Sequence, residues 1–443
     1  MMSLENLTFK GGFHMADKKE LSKDCPLEKG PEPKLVSIVL HQHIGAPCEP
    51  LVKVKDEVKL GQKIGESKAT ITAPVHSSVS GVVKKIDDVI TPDGVKAKAI
   101  IIESDGKDEI GYEEKNDNFE DLSVEEIVKR VREAGIVGLG GAAFPTAVKI
   151  TRNPDDNIDS IIINGAECEP YLTADQVNME NYPDKVVKGL QIVMKTMDAK
   201  KGYIAIEDNK PKAIEAIKKA AAKVNNVEVA VLKTKYPQGD LRRIIDAVTG
   251  KRIPSSVRCT NMGTQGVNCT TAITIADAVE HGKPLYERTV TVTGSAINTP
   301  KNMTVKIGTS VKELLEYCGG FKETPGKIIL GGPMMGASQY GIDAVIEKAT
   351  NGVIVLNKEE AKPPVVSPCI KCGKCVEVCP INLMPLYLEA RVSKERFEEA
   401  NELNIMECIE CGTCSYICPA KRPLVETFRH GKRQIKALER KRR

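Results

Sequence analysis

Residues 369–380 read C-I-K-C-G-K-C-V-E-V-C-P, and residues 408–419 read C-I-E-C-G-T-C-S-Y-I-C-P. Both stretches follow C-x2-C-x2-C-x3-C-P, the run that holds [4Fe–4S] clusters in two-cluster ferredoxins. In such proteins, three thiolates of one run and the fourth cysteine of the other run bind each cluster. We therefore predict one cluster on Cys369, Cys372, Cys375 and Cys418, and a second cluster on Cys408, Cys411, Cys414 and Cys379.

The segment between the two runs predicts the surrounding fold. It contains apolar residues at helical spacing, which favours a mostly helical ferredoxin-like domain over residues 361–428. We also expect the fourth cysteine of each run to sit at the start of a helix and face away from its own loop. A zinc site is the alternative interpretation, but zinc usually takes four ligands from two separated pairs, which a doubled eight-cysteine run does not resemble.

Composition limits the remaining possibilities. The chain has 443 residues and 14 cysteines, which predicts about three domains and, without a secretory leader, metal or redox chemistry instead of disulfides. No stretch approaches the roughly 18 to 20 apolar residues of a membrane span, and the first residues lack the apolar core of a signal peptide. A net charge of +4 without any Trp argues against nucleic-acid binding. We expect a cytoplasmic protein.

An N-terminal arm over residues 1–34 precedes a predicted β domain over 35–115. Val and Ile alternate with polar residues and turn at Gly, as in the two halves of a biotinyl/lipoyl-type barrel-sandwich. The expected turn near Lys68 lacks the residues that flank a modified lysine, so we predict a structural role. His41, His43 and His76 raise the alternative of a metal site, although loop histidines without a carboxylate partner usually bind none.

Residues 116–284 alternate between helix and strand, which predicts an α/β domain with a parallel sheet. Ser123 and Glu126 form a capping-box pattern at the start of one helix. Ligands of such sheets bind at the carboxyl ends of strands. Two motifs fall at such positions: V-G-L-G-G-A-A-F-P-T-A-V-K over 137–149, and N-G-A-E-C-E-P-Y-L-T-A-D over 164–175. The first is suited to an anion and the second to a flavin, a ribose or a nicotinamide amide, but each could also be an ordinary loop.

Two segments complete the chain. Residues 285–360 contain short strands, one helix and Gly turns, which predict a β-grasp domain; its G-G-P-M-M-G is either a ligand loop or a tight turn against a neighbouring domain. Residues 429–443 form a basic tail, which we expect to be helical and either solvated or bound to an anionic membrane or a partner subunit.

Taken together, these motifs resemble a known family. G-L-G-G-A-A-F-P-T followed by N-x-x-E-x-E-P is similar to the FMN and NADH site of the flavoprotein subunit of respiratory complex I, where the first stretch reads G-R-G-G-A-G-F-P-T. The order of the whole chain, from F-x-G-G-x-H at Phe9–His14 to the cysteine runs, most resembles the RnfC family, which belongs to the Rnf ion-translocating electron transport complex. The resemblance implies an α/β multidomain fold with barrel-sandwich, FMN/NADH-binding, SLBB-like β-grasp and two-cluster domains.

The resemblance also implies site residues. Glycines pass close to the flavin and its phosphate, a lysine lies near the flavin, polar residues lie over the isoalloxazine, one acid contacts the nucleotide ribose, and an aromatic ring lies beside the nicotinamide. These are, in that order, Gly138, Gly140, Gly141; Lys149; Asn164, Glu167; Glu169; and Phe144. Y-P-Q-G-D resembles the family's Y-x-x-G-E and V-N-C-T-T its N-N-V-E-T, which adds Tyr236, Gly239, Asp240, Asn268 and Thr271.

Two positions depart from the complex I pattern. Leu139 replaces the arginine of the glycine-rich stretch, and Ala166 replaces an aspartate. These departures leave NADH versus NADPH preference open and keep a vestigial flavin site as an alternative. Cys168 lies within the second motif, and we interpret it as a packing residue.

The cofactors together imply a redox role. A nicotinamide moves two electrons as hydride and a [4Fe–4S] cluster moves one, whereas a flavin can exchange either number. We therefore expect hydride exchange between NAD(H) and FMN, single-electron transfer through both clusters, and no general acid or base. The resemblance implies a peripheral subunit on the cytoplasmic face of a membrane complex, served indirectly by ferredoxin.

Other interpretations stay open at this stage. They are a microcompartment cobalamin reductase, a bifurcating hydrogenase or dehydrogenase subunit, and a non-enzymatic iron–sulfur conduit.

Overall fold

The N-terminal arm is built into a later sheet of the chain. In this computed structural model, which describes residues 4–442, the arm contains a 3-10 turn (Lys19–Leu21) and strand β1 (Leu27–Lys29). β1 pairs in parallel with the segment 302–304, not with its neighbours in sequence. The first three residues of the arm predicted over 1–34, and the last residue of the predicted tail, lie outside the described part.

The predicted barrel-sandwich consists of two antiparallel sheets. Its strands are β2 (Leu35–Val39), β3 (Glu49–Pro50), β4 (Glu57–Val58), β5 (Lys63–Glu66), β6 (Val75–His76), β7 (Gly81–Ile90) and β8 (Lys96–Ser104). They pair in the orders β2-β8-β7-β4 and β3-β5-β6. The apolar side chains that alternate along β2 and β8 are buried and join one core with the following domain.

The middle of the chain is a doubly wound α/β domain. Its elements are α1 (Val124–Glu133), α2 (Thr146–Lys149), β9 (Ser160–Gly165), α3 (Ala174–Asn181), α4 (Pro183–Met197), β10 (Lys201–Glu207), α5 (Pro211–Ala221), β11 (Val227–Leu232), α6 (Leu241–Thr249), β12 (Thr264–Asn268) and α7 (Cys269–His281). As predicted, Ser123 caps α1 by accepting the Glu126 N–H at 3.2 Å.

All strands of this sheet are parallel, in the order β11-β10-β9-β12. The chain moves outward from β9 to β11 and then returns to the other side of β9. This reversal opens a crevice at the carboxyl ends of β9 and β12, where ligands of doubly wound sheets bind. Asn164, one residue before the end of β9, pairs in register with Asn268, the last residue of β12.

A mixed sheet and one helix form the predicted β-grasp domain. Its elements are β13 (Glu287–Thr293), β14 (Lys301–Lys306), α8 (Val311–Tyr317), β15 (Pro325–Leu330), β16 (Ala337–Ser338) and β17 (Gly352–Asn357). The strand order is β1-β14-β13-β17-β15-β16, with β13 antiparallel to β14 and parallel to β17. Ser310 and Glu313 cap α8 reciprocally.

The cysteine-rich domain is helical, as predicted. It contains α9 (Lys374–Glu377), α10 (Pro385–Val392), α11 (Phe397–Glu402), α12 (Thr413–Ile417) and α13 (Leu424–Arg442). The expectation that the fourth cysteine of each run starts a helix is wrong. Cys379 lies two residues after α9, and Cys418 lies directly after α12. A proline follows each of these cysteines. Proline disfavours helical backbone at the residue before it and cannot continue a helix, so no helix begins at the cysteine.

The described part of the basic tail, residues 429–442, continues α13, so the boundary predicted after residue 428 falls inside a helix. Phe428 and Ile435 are buried against the cluster domain. Lys432 donates to the Cys408 carbonyl at 2.5 Å and pairs with Glu410 at 2.8 Å. Across residues 4–442, no helix combines the length and apolarity that crossing a membrane requires.

The F-x-G-G-x-H segment of the arm wedges between two domains. The Gly12 N–H donates to the Val378 carbonyl at 2.9 Å, and Phe13 exchanges backbone hydrogen bonds of 3.0 and 2.9 Å with Tyr236. The Phe13 ring stacks on Tyr416 at 5.0 Å. A Cβ on Gly12 would stand 2.5 Å from the Tyr236 carbonyl oxygen, so this close approach requires glycine.

Gly12→Ala should therefore lower stability by about 2–4 kcal/mol, because a left-handed backbone (φ +65°) and a steric clash act together. Gly106→Ala is the matched control: its φ is +72°, but its Cβ would meet nothing within 4 Å. We expect a loss of about 1 kcal/mol there. Chemical denaturation of both variants checks this; equal losses would contradict the wedge.

Candidate functional site

A cavity opens at the crevice between β9 and β12. Its volume of about 340 Å³ lies within the range of about 300–1,000 Å³ typical of ligand sites. Twelve of the thirteen residues predicted to bind flavin or nucleotide line it: Gly138, Gly140, Gly141, Phe144, Lys149, Asn164, Glu167, Glu169, Tyr236, Gly239, Asp240 and Asn268. Thr271, the thirteenth, is buried behind the wall, where its hydroxyl accepts the Leu139 N–H at 2.9 Å.

The glycine-rich loop follows α1 and leads into α2. A Cβ on Gly140 would stand 2.5 Å from the Asn268 amide nitrogen, whereas a Cβ on Gly141 would meet nothing within 4 Å. Gly140 therefore packs the loop on the end of β12, and Gly141 leaves space beside the cavity. Lys149, at the end of α2, is half-buried, and burial lowers its pKa.

At the two departures from the complex I pattern, the side chains are not part of the cavity lining. Leu139 is 1% exposed and Ala166 is 0% exposed; each packs in an apolar core and neither lines the cavity. The substitutions therefore leave the walls of the cavity intact.

The loop after β9 is cross-linked to the Y-P-Q-G-D loop. The Asn164 amide donates to the Gly239 carbonyl at 2.9 Å, and its oxygen accepts the Ala166 N–H at 3.1 Å. The Gly239 N–H donates to the Cys168 sulfur at 3.2 Å. Burial raises the pKa of Cys168, which keeps it a neutral thiol and agrees with a packing role.

Two acids of this loop have different surroundings. The Glu167 carboxylate accepts the N–H groups of Asp175 and Gln176, at 2.7 and 3.1 Å, at the start of α3. Burial raises the pKa of Glu167. Asp175 in turn accepts from the Asn268 amide at 2.7 Å. Sequence reasoning missed Asp175 as a site residue, although it ends the quoted motif.

Glu169 reaches into the β-grasp domain. Its carboxylate accepts the N–H groups of Met334 and Met335, both at 3.0 Å, from the G-G-P-M-M-G loop. Gly332 permits this approach, because a Cβ there would collide with the carboxylate. The loop is thus a turn against the neighbouring domain, and Met335 also lines the cavity. The carboxylate predicted to bind a ribose is held here by backbone donors.

The Y-P-Q-G-D loop connects the cavity to both cysteine runs. The buried Tyr236 hydroxyl donates to the Cys411 carbonyl at 2.7 Å. Asp240 caps α6 by accepting the Arg243 N–H at 3.2 Å, and the Arg243 guanidinium donates to the Pro380 carbonyl. Ile409 and Cys411 line the cavity beside the residues predicted to bind flavin. The sequence contained no signal for this wall, because it depends on how two domains meet.

The cysteines gather in the two predicted groups. Cys369, Cys372, Cys375 and Cys418 line one small cavity of the cluster domain. The other group consists of Cys408, Cys411, Cys414 and Cys379. Burial raises the pKa of Cys408, Cys411 and Cys414, and the nearby Cys379 thiol raises each of these pKa values further.

Backbone N–H groups point at the sulfurs in both groups. Lys371 donates to Cys369 at 3.4 Å, Glu410 donates to Cys408 at 3.4 Å, and Leu383 donates to Cys379 at 3.3 Å. Such bonds stabilise cluster-bound thiolates and tune cluster potentials. Among residues 4–442, no three or more His, Cys, Asp or Glu side chains are placed to hold a single metal ion. Two groups of four thiols are the donor set that [4Fe–4S] clusters take.

Known protein families match this chain domain by domain, in the order in which the domains occur. Family models match for the RnfC barrel sandwich hybrid domain over 7–107, the Nuo51 FMN-binding domain over 131–277, the SLBB domain over 289–338 and the 4Fe-4S dicluster domain over 368–421. These matches confirm the predicted fold class.

Curated relatives cover nearly the whole chain. One is a component of the Na(+)-translocating ferredoxin:NAD(+) oxidoreductase complex of Acetobacterium woodii; it is 46% identical, over 99% of this chain and 100% of its own. Another is the corresponding component of the proton-translocating ferredoxin:NAD(+) oxidoreductase complex of Clostridium ljungdahlii, which is 47% identical, over 97% of this chain and 94% of its own. The chain belongs to the RnfC family.

An RnfC chain with an FMN-binding domain and a two-cluster domain is an electron-transfer subunit of an oxidoreductase complex, with FMN and two [4Fe–4S] clusters as cofactors. Other subunits of that complex are its partners. A solved NAD+-reducing [NiFe]-hydrogenase structure has a TM-score of 0.51 and 19% identity, over 71% of this chain and 63% of the other. That likeness concerns the fold alone.

Because the fourth cysteine of each run is predicted to bind the cluster of the other run, substitutions in different runs should affect the same cluster. Cys418→Ala should remove the same electron paramagnetic resonance signal as Cys372→Ala, although the two cysteines lie in different runs. Cys379→Ala should instead remove the signal that Cys408→Ala removes. Spectra of the reduced, reconstituted variants check this. If Cys418→Ala and Cys408→Ala lost the same signal, each run would bind its own cluster.

The raised pKa of Glu169 predicts that the free energy of unfolding depends on pH. Burial raises its pKa from 4.5 to about 7, against the opposing effect of the Met334 and Met335 N–H donors. The folded protein then binds the proton more tightly than the unfolded chain, so stability falls as pH rises through this window and levels off above it. In Glu169→Gln, the fall in the free energy of unfolding across this pH window should be smaller by about 1–3 kcal/mol. Denaturation between about pH 5 and about pH 8 tests this; an unchanged slope would contradict it.

Proposed function

We propose that this chain exchanges hydride between NAD(H) and FMN and passes single electrons through two [4Fe–4S] clusters, in a membrane-associated ion-translocating ferredoxin:NAD+ oxidoreductase. One observation carries the proposal: a single cavity is walled by the glycine-rich loop, the acidic loop after β9 and Cys411 of the second cysteine run. A flavin bound there supplies exchange between two-electron and one-electron chemistry.

The residues of the cavity position the reactants. The N–H groups of the glycine-rich loop, before α2, are suited to the flavin phosphate, and Lys149 adds positive charge beside it. Glu167 and Asn164 hold the loop that would lie along the isoalloxazine. Phe144 supplies an apolar ring for the nicotinamide. Hydride transfer needs no proton donor, so orienting the two rings is the protein's contribution.

The two clusters would have different tasks. Cys411 lies on the cavity wall and, like Cys379 and Cys414, is buried. Cys369 and Cys372 are exposed, and Val365 and Ile370 beside them are 89% and 68% exposed. We infer that the cluster of Cys408, Cys411, Cys414 and Cys379 exchanges electrons with the flavin. The other cluster would exchange them with a partner subunit.

The names of the relatives support the rest of the assignment. Ferredoxin and NAD+ appear in the names of both complexes quoted above, and the resemblance puts such a protein on the cytoplasmic face of the membrane. The coupling ion is Na+ in one name and a proton in the other. Because the chain is 46% and 47% identical to these two relatives, identity does not select the ion.

Rapid mixing with NADH tests the electron path. In the reconstituted Cys418→Ala variant, NADH should still bleach the flavin and the remaining cluster at the wild-type rate. In Cys379→Ala, flavin bleaching should persist, while the surviving cluster is reduced at least about tenfold more slowly, because the carrier next to the flavin is lost. Equal cluster reduction in both variants would contradict this order. Absence of flavin bleaching in wild type would contradict NADH oxidation itself.

A further inference from the structure

The arm makes a second set of contacts beyond its glycine wedge. Residues 17–22 lie along the acidic loop of residues 166–173, which forms part of the cavity wall. The Tyr171 N–H donates to the Asp17 carbonyl at 2.7 Å. The Ser22 hydroxyl bonds to the Thr173 hydroxyl at 2.9 Å and to the Tyr171 carbonyl at 3.3 Å. The loop is therefore seated on a segment that lies about 150 residues away in sequence.

Lys19 makes the central contact between the arm and the loop. Its side chain is buried, at 3% exposure. Its Nζ donates to the carbonyl of Glu169 at 3.1 Å and to the carbonyl of Leu172. A buried ammonium is costly unless its donors are used, so these two bonds fix both the lysine and the loop.

The loop needs such support because its backbone is strained. Glu167 and Tyr171 have φ values of +45° and +69°, the left-handed region that non-glycine residues rarely occupy. A second buried lysine holds the other end of the loop: Lys210 donates to the Ala166 carbonyl at 2.6 Å. Two ammonium groups, one from the arm and one from the residue before α5, thus stabilise the carbonyls of a single turn.

We propose that Lys19 is a positioning residue of the flavin–nucleotide site: through it, the N-terminal arm holds the loop 166–173 in the conformation that presents Glu167 to the cavity. This inference rests on the proposed function. It makes docking of the arm a condition for a competent site. The α/β domain alone would lack that contact.

The charge of Lys19 gives the proposal a specific signature. Four ionisable groups face Glu167: Lys19 of the arm, Lys210 before α5, Asp175 of α3 and the buried Cys269 thiol of α7. Burial and Asp175 raise the pKa of Glu167, while Lys19 and Lys210 lower it. Removal of the Lys19 charge therefore favours protonation of Glu167 at a higher pH.

Lys19→Gln is the informative variant, because the amide keeps hydrogen-bond donors but loses the charge. The acid limb of the pH profile of NADH oxidation should move up by about one pH unit. Ser22→Ala removes two loop contacts without changing charge. It should raise the KM for NADH about threefold or more, and leave the acid limb in place. Lys23→Met, an exposed arm residue, is the control and should match wild type in both respects.

The outcomes separate the two proposals. An unmoved acid limb in a folded, flavin-loaded Lys19→Gln variant would overturn the role of Lys19, and so would an equal shift in Ser22→Ala. If Lys19→Gln does not fold, an unchanged KM in Ser22→Ala would overturn the seating of the loop by the arm. Failure of the wild-type protein to oxidise NADH would instead refute the proposed function, whatever the variants do.

Discussion

The hydrogen bond from the Tyr236 hydroxyl to the Cys411 carbonyl is the constraint on which the site depends. It is buried, and it ties the Y-P-Q-G-D loop beside the cavity to the second cysteine run. Together with the hydrogen bond from the Arg243 guanidinium to the Pro380 carbonyl, it fixes the separation of the α/β domain and the cluster domain. The backbone pairing of Phe13 with Tyr236 and the stacking of Phe13 on Tyr416 reinforce the same junction from the arm.

The cavity belongs to the assembled chain and not to one domain. The α/β domain contributes the glycine-rich and acidic loops, the β-grasp domain contributes Met335, and the cluster domain contributes Ile409 and Cys411. Glu169 fastens the second of these domains to the first through two backbone donors. Under the proposed function, this arrangement would place the two-electron and one-electron parts of the reaction side by side, as coupling between them requires.

Local pattern and spacing predicted much of this structure from sequence. The cysteine runs predicted the cluster domain, and alternation of helix and strand predicted the parallel sheet. The motifs after β9 and before α2 indicated the ligand edge of that sheet, but the individual residues of the cavity wall came from the resemblance to the complex I flavoprotein and the RnfC family. Spacing did not reveal that Cys379 and Cys418 follow helices. Nor did it reveal Lys19, because a lysine in an irregular arm gains its meaning only from the carbonyls that fold around it.

The most direct test of a joined flavin and cluster path is a stoichiometric anaerobic titration with NADH, followed by visible absorbance, of the protein reconstituted with FMN and iron–sulfur clusters. A flavin accepts two electrons and each of two clusters accepts one, so about two equivalents of NADH should bleach all three. An end point at about one equivalent, with only the flavin bleached, would mean that the cavity does not connect the two kinds of cofactor.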